Sequence, residues 1–101
     1  MKVRWTIRAA NDLVEIVLFI AADNPKAALM TAQKIRKKLK GLAVHPKSGR
    51  VVPEFGNPSI REVLMGNYRI VYRIGKEALH VLTVFEGHRL MPIDEKDISN
   101  R

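Results

Sequence analysis

The sequence predicts an α+β fold with the chain order β-α-α-β-β-β, an N-terminal helical hairpin packed on a small antiparallel-meander sheet. Three observations predict it. The hydrophobic period changes from two to between three and four near residue 8, an Asp23-Asn24-Pro25 break divides the helical stretch, and two glycine turns cut residues 60–86 into three short strands.

In residues 2–7, Val3, Trp5 and Ile7 alternate with Lys2, Arg4 and Thr6, the pattern of a half-buried strand. From Arg8 to Ala22, Ala9, Leu13, Ile16, Val17 and Ile20 mark one helical face, widened by Val14, Leu18 and Phe19. Asn24 can cap the next helix, and Pro25 at its first position loses no needed donor. That helix runs to about Leu42, with Leu29, Ala32, Ile35, Leu39 and Leu42 on one side. A break this short makes the two helices an antiparallel hairpin. Lys34, Arg36, Lys37, Lys38 and Lys40 crowd the end of the second helix and read as a solvated basic face, with a binding patch as the alternative.

Residues 45–59 hold three prolines and two glycines and read as a structured loop. Strands follow at 60–65, 68–74 and 78–86, joined by turns at Gly66-Asn67 and Gly75-Lys76-Glu77. Residues 1–92 are expected to form one domain, and the polar stretch 93–101 a frayed tail.

Composition narrows the function classes. One compact domain accounts for 101 residues. Without cysteine there is no disulfide and no thiolate zinc site, and no cofactor or metal is expected. No signal peptide or membrane span is read, so the cytoplasm is the expected compartment. The formal charge of +8 points to a nucleic acid or an acidic protein as partner.

Strand alternation places Leu79, Val81, Thr83 and Phe85 under the helices, and Arg69, Val71 and Arg73 on the opposite face. Leu82 and Val84 are expected there too. Apolar residues among arginines suggest a docking patch, unless the loop or tail covers them. Arg61, Arg69, Arg73, His88 and Arg89 lie near strand ends. Arginines there can clamp phosphate or meet a partner's carboxylates, and His88 can shuttle a proton. Spacing alone does not choose between these roles.

Four stretches carry a likeness to a known family: AANDLVEIVLFIAADNPKAA, LAVHPKSGR, IREVLMGNYRIVYRI and VLTVFEGHRLMP. In that order and spacing the chain resembles the RelE/ParE superfamily of type II toxin–antitoxin toxins over residues 3–92, its ParE branch more than its RelE branch. In the RelE branch the resemblance implies a ribosome-dependent messenger RNA endonuclease, with Arg69 and Arg89 as phosphate-contacting residues and His88 as the available acid or base. RelE-type enzymes also carry a tyrosine or histidine near the C-terminus. The segment after Arg89, LMPIDEKDISNR, has neither.

In the ParE branch the resemblance implies a toxin without catalytic residues that inhibits DNA gyrase and so blocks replication, with growth inhibition and plasmid stabilisation as its consequences. Both branches imply a cognate antitoxin with an acidic or amphipathic C-terminal segment and a ribbon-helix-helix DNA-binding N-terminus. Arg61, Arg69, Val71, Arg73, Leu82, Val84, His88 and Arg89 are the expected contacts for antitoxin or target.

Overall fold

The computed structural model describes residues 1–99. The chain begins with strand β1 (Lys2–Trp5) and turns at once into helix α1 (Ile7–Ala21). Thr6 makes the turn: its hydroxyl accepts the Ala9 N–H at 3.1 Å and donates to the Val81 carbonyl at 2.8 Å. One side chain thus caps the helix and ties it to the sheet. Helix α2 (Pro25–Val44) is capped by Asn24, whose side chain accepts the Ala27 N–H at 3.0 Å, with Pro25 in the first turn as expected. A 3₁₀ turn (Pro46–Ser48), a two-residue strand β2 (Arg50–Val51), strands β3 (Ile60–Met65), β4 (Tyr68–Ile74) and β5 (Ala78–Glu86), and a short helix α3 (Glu95–Ser99) complete the order.

The sheet is larger and differently wired than a meander. Its order is β1-β5-β4-β3-β2. The three strands β3 to β5 are antiparallel hairpins as expected, and Gly66 supplies the first turn at φ 61°. β1, however, pairs parallel with β5, Lys2 opposite Ala78 and Trp5 opposite Val81. The helical hairpin acts as a crossover that returns the chain to the same sheet, so the sheet is mixed.

A β-bulge corrects the expected faces of β5. Val71 pairs with Thr83 while Tyr72 pairs with Val81, which leaves Leu82 as the extra residue. One inserted residue reverses the alternation beyond it. Val84 therefore joins the helix-side core, and Phe85 turns to the opposite face. This is the reverse of the sequence expectation for both.

Two apolar layers flank the sheet. On the helix side Ala9, Leu13, Ile35 and Leu39 meet Ile70, Tyr72, Leu79 and Val81. On the other side Val52, Ile60, Val71, Leu82, Phe85 and Ile93 form a second cluster, with Phe55, Met91 and Ile98 against it. Arg69, Val71 and Leu82 do lie on the side away from the helices, but that face is not open. The loop around Val52–Phe55 and the segment from Met91 onward strap across it, leaving Val71 and Leu82 buried, while Val84 is buried on the helix side. The expected frayed tail is corrected likewise, since Ile93 is 5% exposed. Its apolar side chain gains more by covering the sheet than it loses in chain freedom. Residues 100 and 101 of that tail lie outside the described residues.

Tyr72 anchors the loop from the helix side. Its hydroxyl donates to the Pro46 carbonyl at 2.6 Å and accepts the Gly49 N–H at 3.1 Å. A Cβ at Gly49 would stand 2.7 Å from the Glu62 carbonyl, so this approach needs glycine. Burial pushes the Tyr72 phenol above its usual range. Among the described residues no helix is long and apolar enough to cross a membrane.

Candidate functional site

The first expected site residue, Arg69, sits in β4 opposite Leu64 of β3. Glu62 lies two residues further along β3, on the same face, within diagonal reach. The Arg69 Nε donates to Glu62 Oε1 at 2.7 Å. Its Nη1 and Nη2 each donate to one oxygen of Glu54 at 3.2 Å, a two-pronged pairing. Arg50 reaches the other Glu62 oxygen at 2.6 Å. The guanidinium also lies 5.1 Å from the centre of the Phe85 ring. Two arginines and two carboxylates thus alternate in a row, with Glu62 and Arg69 buried.

Burial works to lower the Arg69 pKa, and hydrogen bonds to Glu54 and Glu62 more than reverse it. The Arg69 hydrogen bonds hold the Glu54 carboxyl below its ordinary range, against a smaller opposing effect of burial. A lowered carboxyl adds stability above its unfolded value of about 4.3, and that stability is lost as pH falls through the folded value. The loop carrying Glu54 is expected to loosen first on acidification below about pH 4. Faster amide exchange at 52–56, ahead of the helices, is the measurement. Glu54→Gln should abolish the difference.

The other expected residues fall in different places. Arg61 donates to backbone carbonyls of Pro58 at 2.9 Å and Gly49 at 2.9 Å, fastening the loop. Arg73 is half-buried opposite His80 of β5. His88 and Arg89 are exposed on the turn after β5. The stem of Arg69 passes close to Gly87, where a Cβ would stand 3.4 Å from Arg69 Cγ. Its donors nevertheless point to Glu54 and Glu62 rather than to solvent.

Arg89 instead lines a groove of about 660 Å³ between α1, the end of β5 and the segment after it. Ile16, Phe19, Tyr68, Val84, Leu90 and Pro92 supply its apolar lining. Arg8, Asp12, Glu15, Glu86 and Arg89 supply its charges, so the groove is close to neutral and the excess cations lie elsewhere, chiefly on α2. Phe19 and Leu90 stand 82% and 92% exposed, large anchors awaiting cover. Tyr68 is pushed above the usual phenol range by burial and then by Glu86.

Sequence reasoning missed Asp12, which shapes the groove's inner wall. β1 ends at Trp5, so the edge of β5 past Val81 has no strand beside it. Asp12 Oδ2 covers it, accepting the Thr83 hydroxyl at 2.5 Å and the Val84 N–H at 3.1 Å. A carboxylate on a helix thereby occupies a donor that an added strand would use. The one aspartate of α1 was the available signal.

With this geometry in place, comparison with known proteins gives first the class and then the family. The fold is shared with a chain of the chromosomal ParDE toxin–antitoxin system from P. aeruginosa, at a TM-score of 0.70 and 23% identity over 85% of this chain and 95% of that one. A putative toxin, Y4kP, of Sinorhizobium fredii is 36% identical, over 90% of this chain and 93% of its own length. Toxin RelE2 of Caulobacter vibrioides is 30% identical, over 88% and 98%. The signature of the ParE toxin of type II toxin–antitoxin system, parDE, matches residues 3–91. The chain belongs to this ParE toxin family, and an antitoxin is its partner.

Proposed function

We propose that this toxin acts in the cytoplasm by binding rather than by catalysis, with DNA gyrase as its target. The observation that carries the reading is the pairing of Arg69. A nuclease needs that guanidinium free to meet a scissile phosphate, and here Glu62 and Glu54 take its donors. Tyr68, raised in pKa, stays protonated at neutral pH and is a poor base. The antitoxin lays an amphipathic C-terminal segment in the groove, seating apolar side chains against Phe19 and Leu90 and pairing with Arg89. Its N-terminal part is of the ribbon-helix-helix type.

A ribosome-dependent ribonuclease is the second reading. His88 and Arg89, side by side and exposed, favour it, as does likeness to a relative named RelE2. One pair of assays separates the two. Purified toxin is expected to inhibit gyrase supercoiling or accumulate cleaved DNA complexes, while translated message in induced cells stays intact. Unaffected gyrase together with codon-specific cuts in message would overturn the first reading in favour of the second.

A further inference from the structure

We infer that the outer face of α1 is a two-fold interface with a second copy of this chain. α1 turns Ala9 and Leu13 to the sheet, and a second apolar stripe runs along its opposite side. Ile7 is 83% exposed, Val14 54% and Leu18 65%. A surface helix with one core ordinarily carries polar residues there.

The spacing of that stripe is that of a helix-pairing seam. Ile7, Asn11, Val14, Leu18 and Ala21 follow one another at steps of four, three, four and three. This is the a/d repeat by which two helices interlock, with a single asparagine at one core position, the device that sets register and partner number. The residues that α1 buries, Ala9 and Leu13, are not in this repeat, and its large apolar members Ile7, Val14 and Leu18 stand exposed.

Charge chooses the orientation. Arg8 and Glu15 each follow a seam residue by one, on the same flank, and both are exposed. In an antiparallel pair with Ile7 against Leu18 of the second copy, Asn11 falls against Val14, and Arg8 faces Glu15 across the seam. The two-fold axis repeats every contact. The two Asn11 side chains then stand about 4.5 Å apart along the axis, three residues at 1.5 Å each. A parallel pair would leave Glu15 without this partner, and Arg8 with only Asp12 of its own helix, at 3.2 Å. Charge also explains why self-association uses this face of a protein with formal charge +8. No lysine or arginine occurs between residues 9 and 25, whereas α2 carries five between 34 and 40. α1 is the side on which two copies can approach without stacking their cations. At about 22 Å of helix the contact is short, so the dimer is concentration-dependent. Arg8 and Glu15 also border the groove, so pairing belongs to the antitoxin-free chain.

Sedimentation equilibrium of the antitoxin-free full chain is expected to show a monomer–dimer equilibrium. Val14→Glu should weaken it by about 10-fold or more, the effect of one lost anchor. Arg8→Glu and Glu15→Arg should each weaken it, and the double exchange Arg8→Glu/Glu15→Arg should restore it, with circular dichroism confirming that each variant folds. The chain has no cysteine, so Ile7→Cys/Leu18→Cys should give a disulfide-linked dimer on mild oxidation, and Ile7→Cys alone should not. A chain that stays monomeric overturns the inference. So does a dimer indifferent to Val14→Glu and to the charge variants. Monomeric chain whose antitoxin binding is lost in Val14→Glu would overturn it too, assigning the face to the antitoxin.

Discussion

Glu62→Ala is expected to destabilise the protein by about 3–5 kcal/mol, the cost of leaving one half of a buried ion pair without the other. Glu62 is 1% exposed, and both its oxygens are engaged, one by Arg69 and one by Arg50. Without it, the Arg69 guanidinium keeps a single carboxylate, Glu54, which stands in the half-open loop. For a domain of this size the loss corresponds to a melting temperature lower by about 12 °C or more. The double variant Glu62→Leu/Arg69→Met removes both buried charges and should recover most of the difference. Urea unfolding of the three proteins measures it. A Glu62→Ala protein as stable as the parent would show that the row of charges contributes nothing to the fold.

Ile93→Ala is expected to cost about 2–4 kcal/mol, since it deletes buried methyl groups and leaves a cavity. The larger consequence is local. Ile93 holds the segment from Met91 to α3 over Val71, Leu82 and Phe85. Loosening that strap should uncover the far face of the sheet, increasing binding of a hydrophobic dye at temperatures where the helices remain folded. The outcome bears on function as well. If gyrase or antitoxin needs Val71 or Leu82, affinity should rise in Ile93→Ala; if the groove beside α1 is the docking site, affinity should stay the same.

Much of this fold was legible from hydrophobic period. The helical hairpin, its Asn24-Pro25 punctuation and the three hairpin strands each depend on neighbours in sequence, and local pattern reports local structure. The end of β1 was not legible, since Thr6 and Ile7 continue the strand alternation yet cap and begin α1. The parallel pairing of β1 with β5 joins residues 76 apart, Lys2 with Ala78, and no spacing rule reaches that far. The bulge at Leu82 was hidden for a different reason: alternation presumes an unbroken register, and a single extra residue exchanges Val84 and Phe85 between faces.

The strap had no period to show. Val52, Phe55 and Ile93 are isolated apolar residues among prolines and charges, recognisable as core only once the sheet beneath them is known. The site divides the same way. Arg69 and Arg89 stood out as residue types, while the partners that decide what Arg69 does were overlooked. The two-residue turn at Gly66-Asn67 already implies that Leu64 faces Arg69, with Glu62 one diagonal away.

The first strand made is also the last to find its place. β1 leaves the ribosome early, yet its hydrogen-bonding partner is encoded in residues 78–81. At the usual 5–20 residues per second, roughly four to fifteen seconds of synthesis separate the two. During that interval the hairpin of α1 and α2 has no sheet to rest on. The sheet is therefore completed only once the distal strand has arrived, a slow, long-range closure.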